Sequence, residues 1–261
     1  MGDAGSVRRA IFLFSELLRR DLSTRYAGSF GGPLWALLNP LILCGLYTFV
    51  FVAVLRLPAP AGFGGSYAEF LLAGLLPWLG FQEAVSRSTT SIAEQGHLVK
   101  KLQFPVELLV ASSVAAALVL ELVGIGLLAV AVLVLGSGEL HPAVFLLALA
   151  FEVVLLSGPC LLLATLNVFF RDLAQLITPI LMVVLYLTPI LYPASFVPAF
   201  AAPILALNPV ADLVALFRAS LYGGALPPAG RILGWSLAFF LLAAVCLRLF
   251  RRSRPLFSDL L

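Results

Sequence analysis

Hydrophobic residues recur along this chain in blocks of about 20, the length of helix that crosses the hydrocarbon core of a membrane. These blocks predict an all-α integral membrane protein with six transmembrane helices. They cover residues 34–55, 67–86, 106–135, 143–169, 173–192 and 232–250. The third block is longer than a simple crossing requires, so this helix is expected to tilt or to project beyond the bilayer.

A different pattern precedes the first block. In residues 7–27 the apolar side chains lie near one face of a helix and basic side chains are spread over the rest, which predicts an N-terminal amphipathic interfacial helix. The alternative is a solvated basic tail, which would not need an apolar face. Gly31, Gly32 and Pro33 then predict a hinge, because the two glycines accept positive φ and the proline fixes φ.

Residues 193–230 are moderately apolar but are repeatedly interrupted by proline. The interruptions are Pro193, Pro198, Pro203, Pro209, Pro227 and Pro228. Such a segment favours short or re-entrant helices at one membrane face, because proline breaks helices in their interior. We interpret residues 1–261 as a single transmembrane domain.

Basic residues predict the orientation, because Lys and Arg concentrate on the cytoplasmic side of a membrane. With the six spans above, thirteen of the sixteen Lys and Arg residues fall on one side. The other side receives Arg56, Arg218 and Arg231. Both termini are therefore expected in the cytoplasm.

Composition agrees with a membrane protein, since 62% of the residues are hydrophobic and 11% are charged, against roughly 25% charged in soluble domains. Candidate enzyme chemistry is sparse. The chain has no G-x-x-x-x-G-K-[ST] loop for ATP, and its two histidines, His97 and His141, fall on opposite sides of the membrane. Three scattered cysteines give no metal or disulfide motif.

Three glutamates, Glu83, Glu121 and Glu152, lie in or near predicted spans. A carboxylate at mid-bilayer costs about 2.5–3.5 kcal/mol to insert, so such groups face a partner helix or a wet cavity. Glu121 and Glu152 could form a proton relay or a hydrogen bond between helices. The sequence favours the helix–helix hydrogen bond, because no cationic partner lies in their spans.

Four aromatic residues near the ends of spans are candidates for the substrate pathway: Tyr47, Phe51, Tyr186 and Tyr192. Aromatics at such positions commonly form the interfacial belt, which the sequence alone favours. Facing a pore, they would instead offer flat surfaces with a polar tip, suited to sugar rings. Tyr47 and Phe51 are one helical turn apart and therefore share a face.

The polar segment 94–105 carries a short apolar edge at Leu98 and Leu102, next to Lys100 and Lys101. A short amphipathic helix here would fit a groove on a soluble partner. A plain connecting loop is the alternative, and the residues alone do not choose between the two.

Five stretches, in this order, resemble the permease subunits of ABC exporters for cell-surface polysaccharides such as O-antigen, capsule and teichoic acid. They are RRDLSTRY with SFGGPLWALLNPL, HLVKKLQFPVE, LNVFFRDLAQL, TPILYPASFVP and LALNPVADLVALFR. The resemblance covers nearly the whole chain.

This resemblance implies a homodimer in the bacterial inner membrane, associated with two copies of a separate cytoplasmic ABC ATPase. The chain itself would hold no cofactor, since ATP and Mg would be bound by that ATPase, and no nucleic acid would be involved. The substrate would be a lipid-linked polysaccharide that enters from the cytoplasmic leaflet and passes between the subunits. The ATPase contacts would come from the N-terminal helix and the loop 87–105, namely Arg25, Tyr26, His97, Leu98, Lys100, Lys101 and Leu102. The segment 193–230 would form short helices that gate the outer side.

Two competing classes remain. An ion-coupled secondary transporter would use Glu121 or Glu152, and a lipid-modifying membrane enzyme would need a nucleophile or metal site that the sequence does not offer.

Overall fold

The structure is a computed structural model that describes residues 3–24, 34–101 and 105–260. Within these ranges every regular element is helical, which confirms the predicted all-α class. The α-helices are α1 (Asp3–Thr24), α2 (Leu34–Thr48), α3 (Tyr67–Glu94), α4 (Gly96–Lys101), α5 (Glu107–Leu135), α6 (Pro142–Phe169), α7 (Leu173–Leu187), α8 (Ala202–Ala206), α9 (Pro209–Tyr222) and α10 (Ala229–Leu260). A π-helical turn, Phe49–Val54, continues α2, and two 3-10 helices, Ala194–Phe196 and Ala199–Ala201, precede α8.

Three helical segments are long and apolar enough to cross a membrane: Glu107–Leu135, Pro142–Phe169 and Ala229–Ser253. Two shorter apolar helices, Leu41–Val54 and Leu173–Leu187, accompany them. The molecule is therefore a multi-pass membrane protein, and the count of six spans stays a prediction. Helix α3 has the length of a span, at 28 residues, but it carries Glu69, Glu83 and Arg87.

Helix α3 lies at the centre of the bundle. It packs against α5, α6 and α9, and also contacts α2 and α7. Its buried residues, among them Leu71, Leu75 and Trp78, each at most 1% exposed, cover more than half of its circumference, and the remaining face, which carries Glu83 and Arg87, is partly exposed. Because this wide buried face meets several helices, α3 belongs to the interior of the bundle.

The bundle has two distinct ends. At one end, which we call the gate end, residues 55–66, 136–141 and 188–228 come together. The amide of His141 donates to the carbonyl of Ser220 at 2.7 Å there. At the other end, which we call the terminal end, α1 packs along α5 and α4 touches α10. Arg251 of α10 pairs with Glu107 of α5 at this end, 3.4 Å apart.

Several helix bounds differ from those that hydrophobicity predicted. The first helix starts at Asp3 rather than residue 7, α3 runs on to Glu94 rather than ending at 86, and α10 spans Ala229–Leu260 rather than 232–250. Helix α7 is shorter than the predicted span 173–192 and ends at Leu187. The reason is Pro189, which disfavours helical backbone at the residue before it, and Thr188 is indeed extended at φ −104° and ψ 135°.

Some predicted features lie outside the described residues. These are the hinge at Gly31, Gly32 and Pro33, and the proposed ATPase contacts Arg25, Tyr26 and Leu102.

Candidate functional site

A row of aromatic rings runs across the gate end. It passes from α2 through the π-helical turn to α3, the 55–66 loop and the end of α9. The ring centroids are separated by 6.3 Å between Tyr47 and Phe51, 6.3 Å between Phe51 and Tyr67, 5.8 Å between Tyr67 and Phe70, 5.4 Å between Phe70 and Phe63, and 4.5 Å between Phe63 and Tyr222. We call these six residues the aromatic row. The turn that carries Phe51 is π-helical, a geometry frequent at functional sites.

The structure brings the four predicted pathway aromatics to this one end. Tyr47 and Phe51 are neighbours in the row, and Tyr186 lies one residue before the end of α7 at the same end of the bundle. The Tyr192 hydroxyl donates to the main-chain carbonyl of Tyr186 at 2.6 Å. Tyr186 is 56% exposed, so its ring is available to a ligand or a partner.

The remaining members of the row, Phe63, Tyr67, Phe70 and Tyr222, were missed by sequence reasoning. They come from a loop, the start of α3 and the end of α9. Tyr67 and Phe70 are three residues apart on α3, a spacing that could have paired them. No local pattern connects this pair to Phe51 or Tyr222, and only the fold joins all six rings into one row.

Directly after α7 the backbone is held by side chains from other helices. We call residues 187–191 the strap. Asn208 donates to the hydroxyl of Thr188 at 2.8 Å and to the carbonyl of Leu187 at 3.4 Å. Arg218 donates to the carbonyls of Pro189 at 2.7 Å and Ile190 at 2.9 Å. Tyr67 donates to the carbonyl of Leu191 at 2.6 Å. We call Tyr67, Asn208 and Arg218 the clasp.

Glu121 of α5 and Glu152 of α6 lie side by side in the interior, 5% and 0% exposed. Glu121 also presses against Gly80 of α3, where the absence of a side chain leaves room for its carboxyl group. Among the described residues no cation pairs with either group, and no cluster of three or more His, Cys, Asp or Glu could hold a metal ion. The two carboxyl groups meet between α5 and α6, but none of their four oxygens has a hydrogen-bond partner among the described residues, so the hydrogen bond between the helices that the sequence favoured stays a prediction.

The terminal end carries the predicted coupling residues. Segment 96–101 forms the short helix α4, and its role as a contact for a partner stays a prediction. His97 is exposed, whereas Leu98 is half-buried and packs against the core. For Lys100 and Lys101 the structure describes the backbone only. Arg20 of α1 donates to the side chain of Gln95, the residue between α3 and α4, which links α1 to the start of this segment.

A second contact joins α1 to α3. Arg87 of α3 lies 3.5 Å from Asp21 of α1 and 2.7 Å from Glu83 of its own helix. The Asp21 side chain is 15% exposed and that of Arg87 is 35% exposed. One guanidinium therefore bridges two carboxylates on two helices, which ties the amphipathic helix to the central helix of the bundle.

These features define a polytopic helical membrane protein whose polar and aromatic side chains form structured surfaces at both ends of the bundle. Comparison with known families gives the class more narrowly. The profile of the family described as ABC-2 type transporter matches residues 13–222, and the chain belongs to this family.

Individual relatives cover even more of the chain. It is 31% identical over 254 residues to the O-antigen export system permease protein RfbA of Myxococcus xanthus, covering 95% of this chain and 94% of that protein. It is also 31% identical to an O-antigen export system permease protein RfbA of Klebsiella pneumoniae, over 82% of this chain and 83% of that protein.

Proposed function

We propose that this chain is the transmembrane permease subunit of an ATP-driven exporter that moves a lipid-linked cell-surface polysaccharide, O-antigen or a similar glycan, out of the cytoplasm. The observation that carries the proposal is the similarity to an O-antigen export permease across 95% of the chain. Membership of the ABC-2 transporter family does not favour the alternative of an ion-coupled transporter driven through Glu121 or Glu152.

The aromatic row supports this class of substrate. A sugar polymer has few charges, and its ring hydrogens pack against aromatic faces while hydroxyls such as that of Tyr47 can form hydrogen bonds. The row is uncharged and crosses the gate end from α2 to α9. We propose that Tyr47, Phe51, Tyr186 and Tyr192 line the path of the glycan, which passes between two copies of this chain.

We further propose that the permease works as a homodimer with two copies of a cytoplasmic ABC ATPase in the bacterial inner membrane. Both termini would then be cytoplasmic, the segment 193–230 would gate the outer side, and ATP and Mg would be bound by the ATPase rather than by this chain. The strong bias of basic residues to one side of the predicted spans supports this orientation.

We propose that the ATPase binds the terminal end. The contact surface would be made by α4 with Leu102, by α1, and by Arg25 and Tyr26. ATP-driven closure of the ATPase dimer would move α1 and α4 together, and the hinge at Gly31, Gly32 and Pro33 would pass that movement to α2. The contact between Arg20 and Gln95, which directly precedes α4, supports a joint movement of α1 and α4, and the ion pair between Arg87 and Asp21 adds a link from α1 to α3.

Replacing both Tyr47 and Phe51 with Ala tests the glycan path. In a strain that lacks its own copy of the gene, wild-type protein should restore surface glycan. The double variant should restore little of it, because two stacking surfaces on the path are lost. Surface glycan is measured by immunoblot of cell-surface material, and purification in mild detergent measures assembly with the ATPase.

Phe49→Ala is the matched control. Phe49 is 61% exposed on the same π-helical turn and lies outside the aromatic row, so this variant should export normally. Normal glycan display by the double variant would remove Tyr47 and Phe51 from the path. Failure of the wild-type gene to restore any surface glycan would overturn the proposed function itself.

The coupling surface is tested at α4. Leu98→Asp should weaken binding of the ATPase, since losing an apolar anchor at an interface hot spot costs about 2 kcal/mol or more. Because Leu98 also packs against the bundle, Leu98→Ala is the control for lost packing. Export and co-purification of the ATPase should fall much further for Asp than for Ala. Equal behaviour of the two variants would mean that α4 acts only as a connector.

The hinge is measured in the same assays. Gly31→Ala combined with Gly32→Ala should reduce export and ATPase turnover more than it reduces the amount of protein in the membrane. Full export by this variant would make the hinge incidental.

A further inference from the structure

The strap is a stretch of non-helical backbone inside the bundle. Thr188 and Ile190 are fully buried, and Leu191 is 3% exposed. The main-chain carbonyls of this stretch have no donors within a helix. They need donors from elsewhere, because burying a carbonyl without a hydrogen bond costs free energy. The clasp supplies these donors from α3 and from the α8–α9 segment, so the strap depends on other helices for its conformation.

Arg218 is the central member of the clasp. Its guanidinium donates to two consecutive strap carbonyls and, through Nε, to the carbonyl of Phe70 on α3 at 3.2 Å. It also lies over the Phe70 ring, with Cζ 3.6 Å from the ring centroid. One planar group thus holds α3, the strap and α9 together. A lysine ammonium cannot reproduce this, because it lacks the rigid planar fork of donors.

The surrounding helices leave room for this one side chain. A Cβ added at Gly74 of α3 would lie 2.5 Å from Nη2 of Arg218 and 3.2 Å from a methyl group of Val214. The guanidinium therefore lies directly against the backbone of α3. Its hydrogen bonds among the described residues go to main-chain carbonyls, which makes the contact independent of any carboxylate.

We propose that Arg218 is the positioning residue of the gate: by holding the strap, it keeps the outer end of the glycan path closed between transport cycles. The strap is flanked by Tyr186 and Tyr192, so its position sets where these two rings stand relative to the aromatic row. Release of a single guanidinium frees two consecutive carbonyls at once and leaves the Tyr67 hydroxyl to hold the strap to α3. This inference rests on the proposed function, since it assigns a gate to the same path.

A leak assay tests whether Arg218 keeps the path closed. The permease is expressed with its ATPase in cells that contain β-galactosidase but lack a lactose permease, and hydrolysis of o-nitrophenyl-β-galactoside reports passage across the inner membrane. Arg218→Lys keeps the charge but loses the fork, and should raise hydrolysis several-fold at equal amounts of membrane protein. Tyr67→Phe removes only the hydroxyl bond to Leu191, and should raise it less. Arg56→Lys, an exposed arginine at the same end, is the matched control and should not change it.

The possible outcomes distinguish failure of the role proposed for Arg218 from failure of the proposed export function. If Arg218→Lys reaches the membrane in normal amounts, exports normally and does not leak, Arg218 does not keep the path closed. The proposed function would still stand, because the wild type exports glycan. If Arg218→Lys is lost from the membrane, the Tyr67→Phe variant decides. A leak through Tyr67→Phe at normal membrane abundance supports the proposed role of the clasp. Normal membrane abundance of Tyr67→Phe without a leak rejects it. A wild-type protein that restores no surface glycan defeats the proposed function, whatever the leak assay gives.

Discussion

The contact between Gly80 and Glu121 shows how closely the interior of the bundle is packed. A Cβ at Gly80 would overlap the Glu121 carboxyl group and would also lie 2.7 Å from the Cβ of Glu121. A new rotamer of Glu121 relieves the first overlap but not the second, because the Cβ of a residue moves only with its backbone. Gly80 is therefore required by the close approach of α3 and α5.

Gly80→Ala should destabilise the protein by about 1–3 kcal/mol, the usual cost of overpacking a core. Thermal unfolding of the purified permease in detergent measures this. Gly126→Ala on α5 is the matched control, since nothing lies within 4 Å of a Cβ at that position. Glu121→Ala should restore little of the loss in the double variant, because the Cβ of residue 121 remains 2.7 Å from the new Cβ. Unchanged stability of Gly80→Ala alone would mean that the two helices separate at little cost.

At the level of elements, the bridge from Arg87 to Asp21 and Glu83 allows a paired test. Asp21→Asn removes the contact between α1 and α3, whereas Glu83→Gln removes a contact within α3 and leaves the other in place. Partly exposed ion pairs contribute only about 0–1 kcal/mol to stability, so both variants should insert normally.

We expect Asp21→Asn to lower export per ATP hydrolysed, because α1 would no longer move with α3, and Glu83→Gln to leave it near normal. Reconstituted complexes, in which ATP turnover and glycan transport are measured together, give this ratio. Equal ratios for the two variants would contradict a role for the α1–α3 contact in coupling.

The end of a helix could be predicted from the sequence where the helix stops at the end of an apolar block. It could not be predicted where the helix continues beyond the block or stops within it. Helix α3 passes its apolar stretch by two turns because Ser88, Thr89 and Ser91 each donate to a carbonyl three or four residues earlier in the same helix. These polar residues are nearly fully buried, so hydropathy was a poor guide to where the helix ends. Helix α7 ends early for the opposite reason, since Pro189 stops the helix within an apolar stretch.

At the scale of the whole molecule, the sequence predicts the orientation in the membrane through its basic residues. A cysteine placed at Ala61 or Ala225 should react with a membrane-impermeant thiol reagent in spheroplasts, and one placed at exposed His97 should react only after permeabilisation. Ala61 is preferable to Ser66, whose side chain accepts a hydrogen bond from the amide of Glu69 as the cap of α3.

The native cysteines Cys44, Cys160 and Cys246 are all buried, which keeps the background low. If His97→Cys reacts in intact spheroplasts, the predicted orientation is wrong, whatever the result at positions 61 and 225.

The candidate site was predictable only in part at this scale. Tyr47 and Phe51 could be paired because helical periodicity relates residues one turn apart. The clasp could not be found in this way. Its contacts join Tyr67 to Leu191 and Asn208 to Thr188, pairs that no local pattern connects, and its acceptors are mostly main-chain carbonyls that every residue carries.

Because most of these acceptors are backbone oxygens, the bonds that hold the strap in place do not depend on which side chains the strap carries. Arg218 and Tyr67 recognise backbone oxygens, so exchanging the side chains of the strap leaves those three anchoring bonds available. We propose that positions 186 and 192 line the glycan path, and these positions could then be changed to suit another glycan without disturbing the clasp. For protein engineering, this makes the end of α7 the place to vary and the clasp the place to keep, with one scaffold serving exporters of different glycans.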